Sequence, residues 1–223
     1  MVDPNPAHQL LEGLSAPARD RFLAVSFRKS VNPGARLFLY GDAATDLFLI
    51  ESGRLAVQRE QRDGTVLTFT VLGPGAALGE LGYLEGVPVR GASVLALERS
   101  RVLGIPYSTL DELRESDPSV DRLLIEVMKR EVLRLSNHVV VTAYGSVDER
   151  VGFAIKVLLG PVEGPGPHPV QVTQEDLASV AGLTRSTANR SLRHLSEAGV
   201  IDVRRGRIRV LDLARLDALV EVG

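Results

Sequence analysis

Two stretches of this 223-residue chain place side chains at spacings that could do chemistry on anions. In the first, Gly79-Glu80-Leu81 is followed, ten residues after the acid, by Arg90-Gly91-Ala92. A glycine-flanked acid opening a short helical turn offers free backbone N–H groups to a phosphate, and an arginine fork can pair with the same group. Glu80 could accept hydrogen bonds from ribose hydroxyls. The plain alternative is a structural Glu80–Arg90 ion pair in a loop.

The second stretch, Val172 to Ile201, reads as two short helices joined by a tight turn. Thr173, with Asp176 three residues on, approaches a capping box and starts the first helix. Leu177, Val180 and Ala181 give that helix an apolar face, and Ala178 is small enough for a second helix to cross closely. Gly182 supplies the turn, since it tolerates positive φ. Thr184 can cap the second helix, where Ala188, Leu192 and Leu195 form an inward stripe. Arg185, Ser186, Asn189, Arg190 and Arg193 fall on its other face. A helix that reads the major groove needs such an apolar stripe behind hydrogen-bonding and cationic side chains. A surface hairpin with a solvated basic face would carry the same pattern.

The residues after Val200 decide between the two. Ile201, Val203, Ile208 and Val210 flank an Arg-Arg-Gly-Arg tip, the pattern of a β-hairpin with a cationic turn, and a helix-turn-helix followed by such a hairpin is a winged helix. From Thr184 to Arg209 seven arginines face only Glu197 and Asp202, a local charge of +5 in a chain of −2, which leaves −7 for the rest. Concentrated positive charge on a near-neutral protein marks one face for polyanions. Arg185 and Arg190 are the candidates for base or phosphate contact; arginine to guanine is worth about 1–3 kcal/mol of discrimination. Arg205 and Arg207, at the tip, are candidates for phosphate contact, and Thr173 could offer the first helix's amides to a phosphate or serve only as a cap.

Composition narrows the remaining choices. Hydrophobic residues make up 44% and charged residues 24%, an ordinary soluble balance. No apolar run approaches the roughly 20 residues that cross a bilayer, and Met1 to Pro6 lacks the pattern of a leader, so a cytoplasmic protein is expected. The absence of cysteine removes thiolate metal sites, cysteine-ligated clusters and thiol nucleophiles. His8, His138, His168 and His194 are scattered and have no neighbouring ligand set, so no metal site is expected. A metal-dependent cupin-type enzyme would need a His/Glu cluster within its strands, and there is none.

The elements that must position these residues can be read in chain order. About Ala7 to Phe27 is expected to be helical, with Pro17 dividing two short helices. From Val31 to about Ile105, short β-type runs separated by glycine turns, QRDG among them, argue for a β-roll. Pro118-Ser119 introduces the longest helix, to Tyr144, on which Ile125, Met128, Val132, Leu135, Val139 and Thr142 recur at heptad spacing. β-Branched residues at alternate seam positions favour a parallel two-stranded pairing, while Leu124 and Val127 form a second row that can pack on the roll. Gly145 ends the helix, and Ser146 with Glu149 forms a capping box for the next. Gly160 to Pro169 reads as an exposed loop, and Asp212 to Val220 as a last short helix.

Taken in this order, the chain resembles the cyclic AMP receptor protein/FNR family of bacterial transcription regulators. The resemblance rests on G-E-L at Gly79-Glu80-Leu81, R-x-A at Arg90-Gly91-Ala92, and R-x-T-x-x-R at Arg185, Thr187 and Arg190. It implies an α+β fold: a cyclic-nucleotide-binding, jelly-roll-like β-roll domain over 1–118, a dimerisation helix over 119–144, and a winged helix-turn-helix over 145–223. It also implies a homodimer, a palindromic double-stranded DNA site, no membrane partner, no enzymatic activity, and a loop at 160–169 where some members meet RNA polymerase. In the family the glutamate accepts from the ribose 2′-hydroxyl, the arginine binds the cyclic phosphate, and the long helix meets the base through a Thr-Ser pair. Glu80 and Arg90 match the first two roles. The Thr-Ser pair is here Leu135-Ser136, and Gly91 stands where members that bind cyclic AMP carry Ser or Thr. Cyclic AMP is therefore the first expectation for the effector, with another effector or none as the alternative. Members that read TGTGA-type half-sites carry Glu where this chain has Ser186, which implies an altered preference at that base pair.

Overall fold

A computed structural model describes residues 6–60, 66–160 and 167–220. The chain opens with α1 (Pro6–Leu11) and α2 (Ala16–Val25). Ser15 caps α2 by accepting from the Ala18 N–H at 3.2 Å, so Pro17 lies in the first turn of α2 rather than between the helices. That turn needs no N–H from Pro17. Eight strands follow: β1 (Phe27–Val31), β2 (Arg36–Phe38), β3 (Asp46–Ser52), β4 (Leu55–Glu60), β5 (Val66–Leu72), β6 (Ala77–Leu78), β7 (Ser93–Ala96) and β8 (Ser100–Pro106). Between β6 and β7 comes α3 (Glu80–Glu85). The strands begin at Phe27, earlier than the sequence suggested. The QRDG turn lies outside the described residues.

The strands form two sheets, ordered β1-β8-β3-β6 and β2-β7-β4-β5. β3 is central and reads DLFLIES with five consecutive buried residues, because it is covered on both faces. One core cluster fills the space between the sheets, with Leu37, Phe48, Ile50, Leu55, Val94 and Val102 among its members. A second joins the outer face of β3 and β8 to the helices: Leu11, Phe22, Leu47, Leu49, Ile105 and Leu110 pack with Leu123, Leu124 and Val127. Leu124 and Val127 are thus the row that packs on the roll.

After β8 come α4 (Tyr107–Ser116), α5 (Ser119–Tyr144) and α6 (Val147–Leu159). Asp117 organises the start of α5. It accepts from the Ser119 N–H at 2.8 Å and from the Ser15 hydroxyl, and these bonds hold its carboxyl below the usual range. The expected capping box on α6 is present, with the Ser146 hydroxyl and the Glu149 carboxylate bonded reciprocally to backbone N–H groups. The remaining elements are β9 (His168–Gln171), α7 (Gln174–Val180), α8 (Arg185–Glu197), β10 (Ile201–Arg204), β11 (Arg207–Val210) and α9 (Leu213–Val220). β9 corrects the loop reading of 160–169 at its end: His168 and Pro169 belong to a strand that pairs antiparallel with β11. Residues 161–166 lie outside the described set.

Residues cluster into two units, 1–59 with 72–133, and 60–71 with 134–223. The second has its own core, in which Ile155, Leu158, Leu177, Leu192, Leu195, Ile208 and Leu216 are all at most 4% exposed.

Candidate anion pocket and candidate nucleic-acid interface

In the first unit, Arg90 is drawn inward. Its backbone is fixed on both sides: its N–H donates to the Asp42 carbonyl at 2.8 Å, and its own carbonyl accepts from the Gly41 N–H at 2.9 Å. The residue is only 5% exposed, and its guanidinium lies 4.3 Å from the Phe38 ring centroid, 5.5 Å from that of Phe48 and 6.0 Å from that of Tyr107. Aromatic faces are electron-rich and hold a desolvated cation, so these rings form its seat. The Tyr107 hydroxyl donates to the Gly79 carbonyl at 2.6 Å and accepts from Arg90 at 3.3 Å. Burial raises the pKa of that hydroxyl, against the lowering effect of the Arg90 charge, so it stays a donor.

Gly79 precedes α3 with φ +89°. A Cβ there would collide with the Arg90 guanidinium and come within 2.7 Å of the Asp46 carbonyl. Glu80 is buried, whereas Leu81 is half exposed, Gly91 is exposed and Ala92 is intermediate. A Cβ at Gly91 would meet nothing within 4 Å. The structure therefore brings Gly79, Glu80 and Arg90 onto one set of elements. It adds Phe38, Phe48 and Tyr107, which sequence reasoning missed. Leu135 and Ser136 are both exposed and belong to the second unit.

A polar chain continues from α3. The Tyr83 hydroxyl donates to Asp111 at 2.5 Å and accepts from Arg114 at 3.1 Å, and Arg114 also holds Asp121 of α5 at 2.7 Å. Burial and the Asp111 carboxylate raise the Tyr83 pKa.

The fit of a cyclic nucleotide can be tested on this geometry. The buried Arg90 Nε–H has no hydrogen-bond partner among the described residues. A buried donor left unmatched costs about 1–3 kcal/mol, which an anion seated there would recover. The residues fit a phosphate at Arg90.

In the second unit, α7 and α8 form the helix-turn-helix. Thr173 caps α7 by accepting from the Asp176 N–H at 3.0 Å, but the Asp176 carboxylate takes the Thr173 hydroxyl proton rather than a backbone N–H, so the box is incomplete. Gly182 makes the turn at φ +61°. Thr184 caps α8 by accepting from the Thr187 N–H at 3.3 Å. Ala188, Leu192 and Leu195 are buried beneath α8, while Arg185, Ser186, Arg190 and Arg193 are exposed and Thr187 and Asn189 are partly so. Arg150 of α6, missed in the sequence, grips the turn by donating to the Ala181 carbonyl at 3.0 Å and to the Gly182 carbonyl.

The arginines divide into two kinds. In the wing Asp202 pairs with Arg204 at 3.0 Å and Arg209 at 3.8 Å. Arg185, Arg190, Arg193, Arg205 and Arg207 have no carboxylate partner among the described residues. They are the cations left to meet a polyanion. Between α7, α8 and β10 lies an open concavity of about 540 Å³ lined by Gln174, Asn189, Leu192, Arg193, Ser196 and Val203. The helix-turn-helix and wing residues thus lie together in one unit.

Comparison with known proteins finds two family models along the chain. Residues 28–117 match the family of the cyclic nucleotide-binding domain, and residues 155–219 match the Crp-like helix-turn-helix domain. The cyclic AMP receptor protein of Thermus thermophilus is 29% identical over 94% of this chain and 95% of its own. The CRP-like cAMP-activated global transcriptional regulator of Mycobacterium tuberculosis is 26% identical over 82% of this chain and 83% of its own. Among solved structures, the c-di-GMP-responsive global regulator CLP of Xanthomonas campestris superposes with a TM-score of 0.71 at 24% identity, covering 88% of this chain and 99% of its own, a likeness of fold.

Proposed function

Because this chain belongs to the cyclic AMP receptor protein/FNR family of transcription regulators, we propose that it is a homodimer whose hold on a palindromic DNA site is set by a cyclic nucleotide at Arg90. The observation that carries this reading is the buried Arg90 guanidinium, held by aromatic rings with its Nε–H unmatched by any hydrogen-bond partner among the described residues. The nucleotide supplies the phosphate charge. Arg90 binds and orients that phosphate, Glu80 accepts from the ribose, and the seat excludes water from the pair. The effector acts by favouring one of two arrangements of the chain, and a differential affinity of about 100-fold supplies about 2.7 kcal/mol.

The partner in the dimer is a second copy through the 119–144 helix. Ile125, Val132, Leu135 and Val139 are between 46% and 66% exposed, an apolar heptad row that water disfavours. A two-fold dimer matches half-sites about one helical turn apart. The domain boundaries at 118 and 144 follow the start of this helix and the capping box beyond it. Arg185 and Arg190 read the groove, with Ser186 beside them, and Arg205 and Arg207 hold phosphate. The protein acts in the cytoplasm, where its DNA lies; among the described residues no helix is long and apolar enough to cross a membrane. A contact of the 160–169 loop with RNA polymerase is carried by the family resemblance.

A second reading keeps the DNA-binding regulator without dependence on cyclic AMP, and two residues favour it. Gly91 brings no hydroxyl to the phosphate, and Leu135 brings no polar group to a base, at about 0.5–1.5 kcal/mol for each lost bond. The structural neighbour from X. campestris is described as responding to c-di-GMP. Isothermal titration with cyclic AMP, cyclic GMP and c-di-GMP, with and without a selected duplex, separates the readings. Saturable heat with cyclic AMP, and tighter duplex binding in its presence, is expected. No heat with any cyclic nucleotide beside tight duplex binding by the apoprotein would sink the first reading and leave the second.

A further inference from the structure

We propose that Asp148 sets the pose of the reading helix α8 and is a positioning residue for DNA sequence recognition; the proposal rests on α8 being the helix that enters the groove. Asp148 is in the first turn of α6. One of its carboxylate oxygens accepts from the Ser191 hydroxyl at 2.6 Å, and the other meets His194 Nδ1 at 2.5 Å. A carboxylate only accepts, so Nδ1 carries the proton. A single side chain of α6 therefore holds two points of α8, three residues or about 4.5 Å apart along its axis.

The apolar stripe of Ala188, Leu192 and Leu195 gives α8 its affinity for the core but little direction, since burial is non-directional. Small rotations and slides of α8 keep most of that contact. They do not keep two short bonds to one carboxylate. Ser191 is 2% exposed, so its hydroxyl has no water to turn to if the bond is lost. Charged acceptors make the shorter and stronger bonds.

Each anchored residue is also the immediate neighbour of an outward arginine, Ser191 of Arg190 and His194 of Arg193. Fixing the anchors fixes the direction in which those arginines leave the helix. The acid is placed favourably, since a carboxylate in the first turn of α6 suits the local helix dipole. Two residues after Asp148, Arg150 holds the turn that precedes α8 through the Ala181 and Gly182 carbonyls. The start of α6 is thus a frame gripping both the turn and the helix.

The test compares full-length wild type with Asp148→Asn, an isosteric change that removes one acceptor oxygen. A duplex selected from random sequence by the wild type, and a scrambled duplex of equal length, are titrated at one salt concentration. Asp148→Asn is expected to weaken the selected duplex by about tenfold, while affinity for the scrambled duplex stays within about twofold. The exposed partner gives a second pair that does not endanger folding: His194→Gln keeps an N–H donor and retains selectivity, and His194→Leu loses it. An unchanged ratio of selected to scrambled affinity in Asp148→Asn, equal loss on both duplexes, or indistinguishable Gln and Leu variants at 194 would overturn the proposal. A wild type that enriches no duplex would overturn the reading of α8 itself, and the proposal with it.

Discussion

Replacing Gly79 with alanine tests the geometry of the anion seat most directly. Gly79 has φ +89°, a conformation that costs an L-residue about 1–2 kcal/mol. Its Cβ would also press on the Arg90 guanidinium, on the Asp46 carbonyl at 2.7 Å and on the Tyr107 hydroxyl at 3.2 Å. Asp46 cannot retreat, because it is registered opposite Pro106, and the adjoining Tyr107 N–H is tied to Thr45 at 2.8 Å. Overpacking of this kind adds about 1–3 kcal/mol, and the stiffer unfolded chain returns about 0.4–1 kcal/mol. The net is about 2–4 kcal/mol, or a fall in Tm of about 5–12 °C for a chain of this size. Displacing the guanidinium should also abolish nucleotide heat in calorimetry. Gly91→Ser is the control: its Cβ would meet nothing within 4 Å, so Tm should hold while cyclic AMP binding tightens by up to about tenfold. A Gly79→Ala protein that melts within about 2 °C of wild type and binds nucleotide normally would refute the assignment of this seat.

Three further outcomes are expected. Arg205→Ala should reduce the slope of log affinity against log salt by about one unit per subunit, and Arg204→Ala, already paired with Asp202, should change it little; equal slopes for both would remove the distinction. His138, whose ring lies 5.6 Å from that of Phe153, has its pKa lowered by burial and by the Arg134 and Arg150 charges. The unfolded chain therefore binds the proton more readily, and this contribution to stability is complete above about pH 6.5 and declines as pH falls below it; urea titrations across pH 5 to 8 should show His138→Gln losing less stability on acidification, and parallel curves would exclude the effect. Ile125→Glu with Val139→Glu should yield a folded monomer in sedimentation, and a persistent dimer would place the self-contact elsewhere.

Much of the second unit was legible because its signals are local. Thr184, Gly182 and the Ser146–Glu149 pair act within three or four residues of themselves, so type and spacing suffice to place caps and turns. β9 was missed for the opposite reason: His168-Pro169-Val170-Gln171 has no strand pattern of its own and becomes a strand by pairing with β11. The surroundings of Arg90 were half legible. Glu80 and Arg90 could be paired by spacing, but Phe38, Phe48 and Tyr107 converge only through long-range registers such as Phe48 opposite Gly104 and Phe38 opposite Val94. Nor could composition separate the arginines. Seven looked alike until Asp202 claimed two of them.

The aromatic seat of Arg90 also bears on selectivity among ligands. An arginine free in solution surrenders up to about 2 kcal/mol of side-chain entropy when a ligand immobilises it. Here Phe38 and Phe48 immobilise it during folding, so that loss does not recur at each encounter. The pocket is then equally prepared for any small phosphate diester that reaches it. On the proposed reading, discrimination must arise at the sugar, which Glu80 would meet, and at the base, and a shift of effector during divergence would need changes only there.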